Sequence, residues 1–150
     1  CALPIWNKNI LMEMNAVYKK YECSVIAIEE IPIEKTNNYG IISGKLIDGT
    51  NDTFLVADMV EKPEPDDAPS NLGIIGRYIL TPEIFDILRD TKPDKNGEIQ
   101  ITDALKTQAK NGKVIAYKFK GERFDCGSVE GYVKATNFLA KEKNLIWTED

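Results

Sequence analysis

A chain of 150 residues without a single histidine cannot run Ser-His-Asp or Cys-His catalysis, and it cannot build a histidine-ligated metal site from its own residues. Hydrophobic residues at 43% and charged residues at 29% match a globular domain and exclude disorder as the default. A net charge of −5 with no basic stripe speaks against a nucleic-acid partner; no apolar run approaches the ~18 residues of a membrane helix; and the cysteines Cys1, Cys23 and Cys126 match no zinc spacing and suit a reducing cytoplasm.

The chain opens on Cys1-Ala2-Leu3-Pro4-Ile5-Trp6 without an initiator methionine, as though the gene began further upstream. Ile10, Leu11, Met14, Val17, Tyr18 and Tyr21 recur at three- and four-residue spacing, which predicts an amphipathic helix over 8–21. Residues 24–28, Ser-Val-Ile-Ala-Ile, read as a buried strand. Strands over 41–47 and 53–60 flank an Asp48-Gly49 turn and predict a hairpin. The proline-rich stretch 62–71 reads as a loop and 72–80 as a further strand. Thr81-Pro82 has the form of a helix N-cap followed by proline, starting a helix over 82–89 with Ile84, Phe85 and Leu88 on one face. Thr102 or Asp103 is placed to cap a helix that reaches Lys110 and stops at Asn111-Gly112. A strand over 114–119 follows, then a last helix capped by Ser128, with Tyr132, Ala135, Phe138 and Leu139 in its apolar stripe. The pattern is one mixed α/β domain.

Four short segments can carry chemistry, each with an ordinary structural reading beside it. Gly40 opens a strand, where a glycine lets a ligand approach or simply makes a turn. Glu61-Lys62-Pro63 ends a strand; a carboxylate there can accept from two sugar hydroxyls and an ammonium can bind a phosphate, or the two are a solvated pair. Gly73 and Gly76 interrupt the strand 72–80, for close approach or for packing. Asp125, before Cys126-Gly127-Ser128, can ligate a hard cation or can hydrogen-bond its own turn.

Taken in order, Tyr39-Gly40-Ile41, Glu61-Lys62-Pro63, Ser70-Asn71-Leu72 with Gly76-Arg77-Tyr78, Gly97-Glu98-Ile99-Gln100-Ile101-Thr102-Asp103 and Asp125-Cys126-Gly127 resemble the sugar-1-phosphate nucleotidylyltransferases. Within that family they are most similar to the bacterial UTP–glucose-1-phosphate uridylyltransferases, over residues 7–145. The segment 67–72 and Asp-Cys-Gly favour the uridylyl branch over the thymidylyl and adenylyl branches. The resemblance implies a partial Rossmann-like α/β nucleotidyltransferase fold, a mixed sheet flanked by helices. It implies uridylyl transfer from UTP to glucose 1-phosphate, giving UDP-glucose and pyrophosphate. It places the Gly40 backbone and Glu61 on glucose hydroxyls, Lys62 on the sugar phosphate, Gly76 where the strand nears the sugar, and Asp125 as one of two aspartates holding Mg²⁺.

The family's Gly-x-Gly-Thr-Arg triphosphate loop does not occur in these residues, and residues 1–6 contain no acid to serve as the first metal aspartate. The expectation is therefore a single domain over 1–150 equivalent to the sugar-binding half, inactive alone. It is also expected to form homo-oligomers, because missing strands would leave the strand at 24–28 with an exposed edge or an apolar face. A non-catalytic sugar-phosphate-binding or oligomerisation module is the competing reading from another class.

Overall fold

The computed structural model describes residues 2–5, 10–94 and 96–143. They fall into two compact units, Leu11–Phe119 and a second formed by Cys1–Ile10 with Lys120–Asp150.

The larger unit takes in α1 (Ile10–Tyr21) from Leu11 onward, and Met14, Val17 and Tyr18 turn inward while Leu11, Met12 and Lys19 face out. Lys8 and Asn9, where the helix was expected to start, lie outside the described residues. The helix stops at Glu22, which takes a left-handed φ of 52° and donates its N–H to the Tyr18 carbonyl. Five strands follow: β2 (Ser24–Glu30), β3 (Gly40–Leu46), β4 (Thr53–Glu61), β5 (Leu72–Ile79) and β6 (Val114–Lys118). β3 and β4 form the expected hairpin around Asp48-Gly49, with Gly49 at φ 77°.

The strands close into a ring in the order β2-β5-β3-β4-β6, and β6 returns to β2 as a parallel neighbour. β2 is thus hydrogen-bonded on both sides, antiparallel to β5 and parallel to β6, and Val25 to Ile28 are fully buried. This overturns the open edge expected at 24–28: the chain satisfies that strand with its own β5 and β6.

Two helices cover the sheet. α3 (Ile101–Lys110) sends Ala104, Leu105 and Ala109 into one core cluster with Ile26, Ile42, Val56, Met59, Ile74 and Val114 of the strands. α2 (Ile84–Asp90) adds Ile84, Ile87 and Leu88 to the same cluster. Phe85, expected on that face, is 63% exposed, because i, i+3, i+4 spacing from Ile84 selects Ile87 and Leu88. Thr81 does not cap α2, which begins two residues beyond Pro82. The Thr81 hydroxyl instead accepts from Gln108 Nε2 at 3.1 Å, and the Thr81 N–H donates to Ser24 Oγ at 3.1 Å. Two short 3₁₀ turns, Ile33–Asn38 and Pro65–Asp67, lie in the connections.

The smaller unit holds β1 (Ala2–Ile5) paired antiparallel with β7 (Glu122–Asp125), and α4 (Val129–Glu142). Neither β1 nor β7 was expected from the sequence, since four-residue strands show too few alternations to register. Ser128 caps α4 as expected: its hydroxyl oxygen accepts from the Gly131 N–H at 3.1 Å. Ala135 is buried and Phe138 meets Phe124 with ring centres 5.3 Å apart, but Tyr132 is 64% exposed rather than part of the inward stripe. Among the described residues no helix is long and apolar enough to cross a membrane.

Candidate functional site

The hairpin brings two of the singled-out segments to one place. Its register pairs Gly40, the first residue of β3, with Glu61, the last of β4. Here Gly40 is more than a turn residue. A β-carbon built on it would lie 3.1 Å from Glu61 Oε2, 3.1 Å from Ile74 Cδ1 and 3.5 Å from Thr102 Oγ1. The Glu61 carboxylate therefore lies over the bare α-carbon of Gly40, and its side chain is 28% exposed. Thr102, itself 5% exposed in the first turn of α3, donates its hydroxyl to Glu61 Oε2 at 2.6 Å.

Lys62 follows in a left-handed conformation, φ 47°, directly before Pro63. Residues before proline favour extended backbone, and non-glycine residues avoid positive φ, so this is a strained position. It is held by the Lys62 N–H donating to the Tyr39 carbonyl at 3.0 Å. The turn puts the Lys62 ammonium 3.9 Å from Glu61 Oε1 with the side chain 59% exposed. Two sequence neighbours that a regular strand would point to opposite faces thus share one side. Burial pushes the Tyr78 hydroxyl above its ordinary range, and the negative charge of Glu61 adds to the shift, so Tyr78 belongs to the same neighbourhood.

Gly76 lies on β5 at an irregularity: Ile26 pairs with Tyr78 and Ile28 with Ile74, so three β5 residues stand opposite Ala27 alone. Gly76 absorbs the bulge with φ 71°, is exposed, and has no heavy atom within 4 Å of where a side chain would start. Asp125 lies in the smaller unit, at the corner between β7 and α4. Its Oδ1 accepts from the Gly127 N–H at 3.0 Å, and its carbonyl accepts from the Ser128 N–H and hydroxyl at 3.4 and 3.3 Å. The turn thus fixes an exposed carboxylate, a hard donor of the kind Mg²⁺ takes alongside phosphate and water oxygens. Among the described residues no group of three or more acids, cysteines or histidines converges on a point.

Thr102 and Tyr78 are the site residues that the sequence reading missed. Both stand inside quoted segments, Gly97 to Asp103 and Gly76-Arg77-Tyr78, but Thr102 read as a helix cap. In the structure Gln100 occupies the N-cap position without a side-chain bond, and Thr102 turns its hydroxyl to β4.

A family profile described as "Nucleotidyl transferase" matches residues 5–142. The chain belongs to the nucleotidyl transferase family. Within it, the chain is 60% identical over 130 residues to a UTP–glucose-1-phosphate uridylyltransferase of Pseudomonas aeruginosa, covering 87% of this chain and 46% of that protein. It is 44% identical over 137 residues to the enzyme of the same name from Streptococcus pyogenes, covering 90% and 44%. Its fold superposes with a TM-score of 0.86 on a crystal structure of UDP-glucose pyrophosphorylase complexed with UDP-glucose, at 54% identity, over 94% of this chain and 54% of that one. The mixed α/β nucleotidyltransferase fold expected from the resemblance is therefore the fold found. The chain spans just under half the length of the curated nucleotidyl transferases it matches.

Proposed function

We propose that this chain supplies the sugar-phosphate side of uridylyl transfer from UTP to glucose 1-phosphate, the reaction that yields UDP-glucose and pyrophosphate. The observation that carries the reading is the meeting of Gly40, Glu61 and Lys62 at one end of the hairpin: a bare backbone, a fixed carboxylate and an exposed ammonium side by side. The carboxylate suits vicinal hydroxyls, the ammonium suits the phosphate, and the glycine leaves room for the ring. The names of the similar proteins support the same choice of sugar and nucleotide.

Asp125 fits as one carboxylate of a Mg²⁺ site, and Gly76 as an open approach on β5. When bound, Mg²⁺ would offset charge on the phosphates as the new bond forms. Lys62 would hold the attacking sugar phosphate in place, which is most of what an in-line phosphoryl-type displacement asks of a protein. A triphosphate loop and a second metal aspartate are not found among these residues, so we take the domain to be the sugar-binding half and the chain alone to be inactive. The free thiols of Cys23 and Cys126 support a reducing, cytoplasmic setting.

Titration of glucose 1-phosphate and of UDP-glucose into the chain tests the reading. Glu61→Ala and Lys62→Ala should each weaken binding by about ten-fold or more, as expected for losing a charge-assisted hydrogen bond. Unchanged binding in both variants rules the pocket out.

A further inference from the structure

We propose that Thr102 is a positioning residue that sets the Glu61 carboxylate, so that a helix remote in sequence decides which oxygen a ligand meets; this rests on the sugar-phosphate reading above.

A glutamate side chain has three rotatable bonds, and packing over Gly40 alone does not distinguish its two oxygens. Glu61 nonetheless has one oxygen committed. Thr102 has a single hydroxyl proton, and it goes to Oε2 at 2.6 Å, the short range of a charge-assisted O–H···O⁻ bond. Oε1 is left facing Lys62 at 3.9 Å, so the two oxygens are no longer equivalent. Oε1 is the oxygen presented to ligand hydroxyls, beside the ammonium that would take the phosphate.

The donor is itself tied into the core. α3 is anchored by Leu105 and Ala104, both fully buried. Lys106 adds a link to Asp58 of β4 at 3.2 Å. Gln108, 3% exposed, accepts from the Ser24 hydroxyl at 2.8 Å and donates to Thr81. Gly40 completes the arrangement, because a β-carbon there would press on Glu61 Oε2 at 3.1 Å and touch the Thr102 hydroxyl at 3.5 Å. A threonine in the first turn of a helix ordinarily serves its own backbone. Here it serves a strand 41 residues away.

Three variants of the chain test this: Thr102→Val, of equal shape without the donor, Thr102→Ala, and Thr102→Ser, which keeps the donor. The first readout needs no ligand. Three-bond couplings along the Glu61 side chain should report one rotamer in the parent and in Thr102→Ser, and averaged rotamers in Thr102→Val and Thr102→Ala. A single unchanged rotamer in whichever donor-less variant folds overturns the proposal. The second readout is glucose 1-phosphate affinity. Thr102→Val should weaken it about ten-fold, Thr102→Ser should restore it to within about three-fold, and Thr102→Val should add nothing in a Glu61→Ala background. An equal loss in that background shows Thr102 acting on the ligand directly and also overturns the proposal. If the parent binds no glucose 1-phosphate, the sugar-phosphate reading fails by itself, and the rotamers still decide the role of Thr102.

Discussion

Glu61 is the residue on which the site turns, and its neighbours show how a glycine and a tyrosine can be tuned to one carboxylate. Gly40→Ala would place a β-carbon 3.1 Å from both Glu61 Oε2 and Ile74 Cδ1, tighter than ordinary contact, so both side chains must yield by a small shift. We expect a stability cost of about 1–3 kcal/mol, typical of overpacking, and a loss of glucose 1-phosphate affinity smaller than that of Glu61→Ala. Chemical denaturation and titration calorimetry check the two effects separately. Tyr78 offers a second reporter. Its hydroxyl is held above the ordinary value of 10.0 first by burial and then by the charge of Glu61. A raised folded-state value means that this stabilisation is complete below about pH 10 and is lost as pH rises through the folded-state value. In Glu61→Gln the Tyr78 value should fall only part of the way, since burial, the larger cause, persists. Tyrosine-labelled NMR titration against a Tyr78→Phe control checks this, and a Tyr78 that titrates at its ordinary value in the parent contradicts it.

At the scale of elements, α3 matters because it links the base of the sheet to its functional end. Its middle carries Leu105 in the core, its first turn carries Thr102 to Glu61, and its last turn carries Gln108 into a closed polar set with Ser24 and Thr81. Ser24 and Gln108 are both buried and their bonds satisfy one another, so removing one partner strands the others away from water. Gln108→Leu should cost about 1–3 kcal/mol by denaturant unfolding, and glucose 1-phosphate binding should weaken with it if α3 loosens as a unit. An unchanged unfolding midpoint would show that water replaces the amide there. In the same network the Thr81 hydroxyl accepts from Gln108, and α2 starts at Ile84 without a side-chain cap.

For the whole molecule, ring closure changes what self-association can rest on. With β2 paired on both sides, the edge expected at 24–28 no longer supports it. Exposed apolar side chains on α4 do: Val129, Tyr132 and Val133 are 83%, 64% and 48% accessible. We therefore expect association through α4, seen as a species larger than one chain by light scattering at tens of micromolar and lost in Tyr132→Lys, roughly the range in which weak oligomers populate. A monomeric parent removes the expectation.

Local periodicity and turn chemistry were enough to determine α1 to α4, the hairpin, the remaining core strands and the cap of α4, because those features depend on neighbours within a few residues. The ordered segments were enough to point to the family. Ring closure, the bulge at Gly76, the inward choice of Ile87 over Phe85 and the loss of the Thr81 cap were decided by tertiary structure. So was the assignment of Thr102 to Glu61. Each depends on which strand or helix, distant in sequence, packs or hydrogen-bonds there, and no local pattern records that. The sequence offers Thr102 as a cap for its own helix; only the folded chain brings it the Glu61 carboxylate.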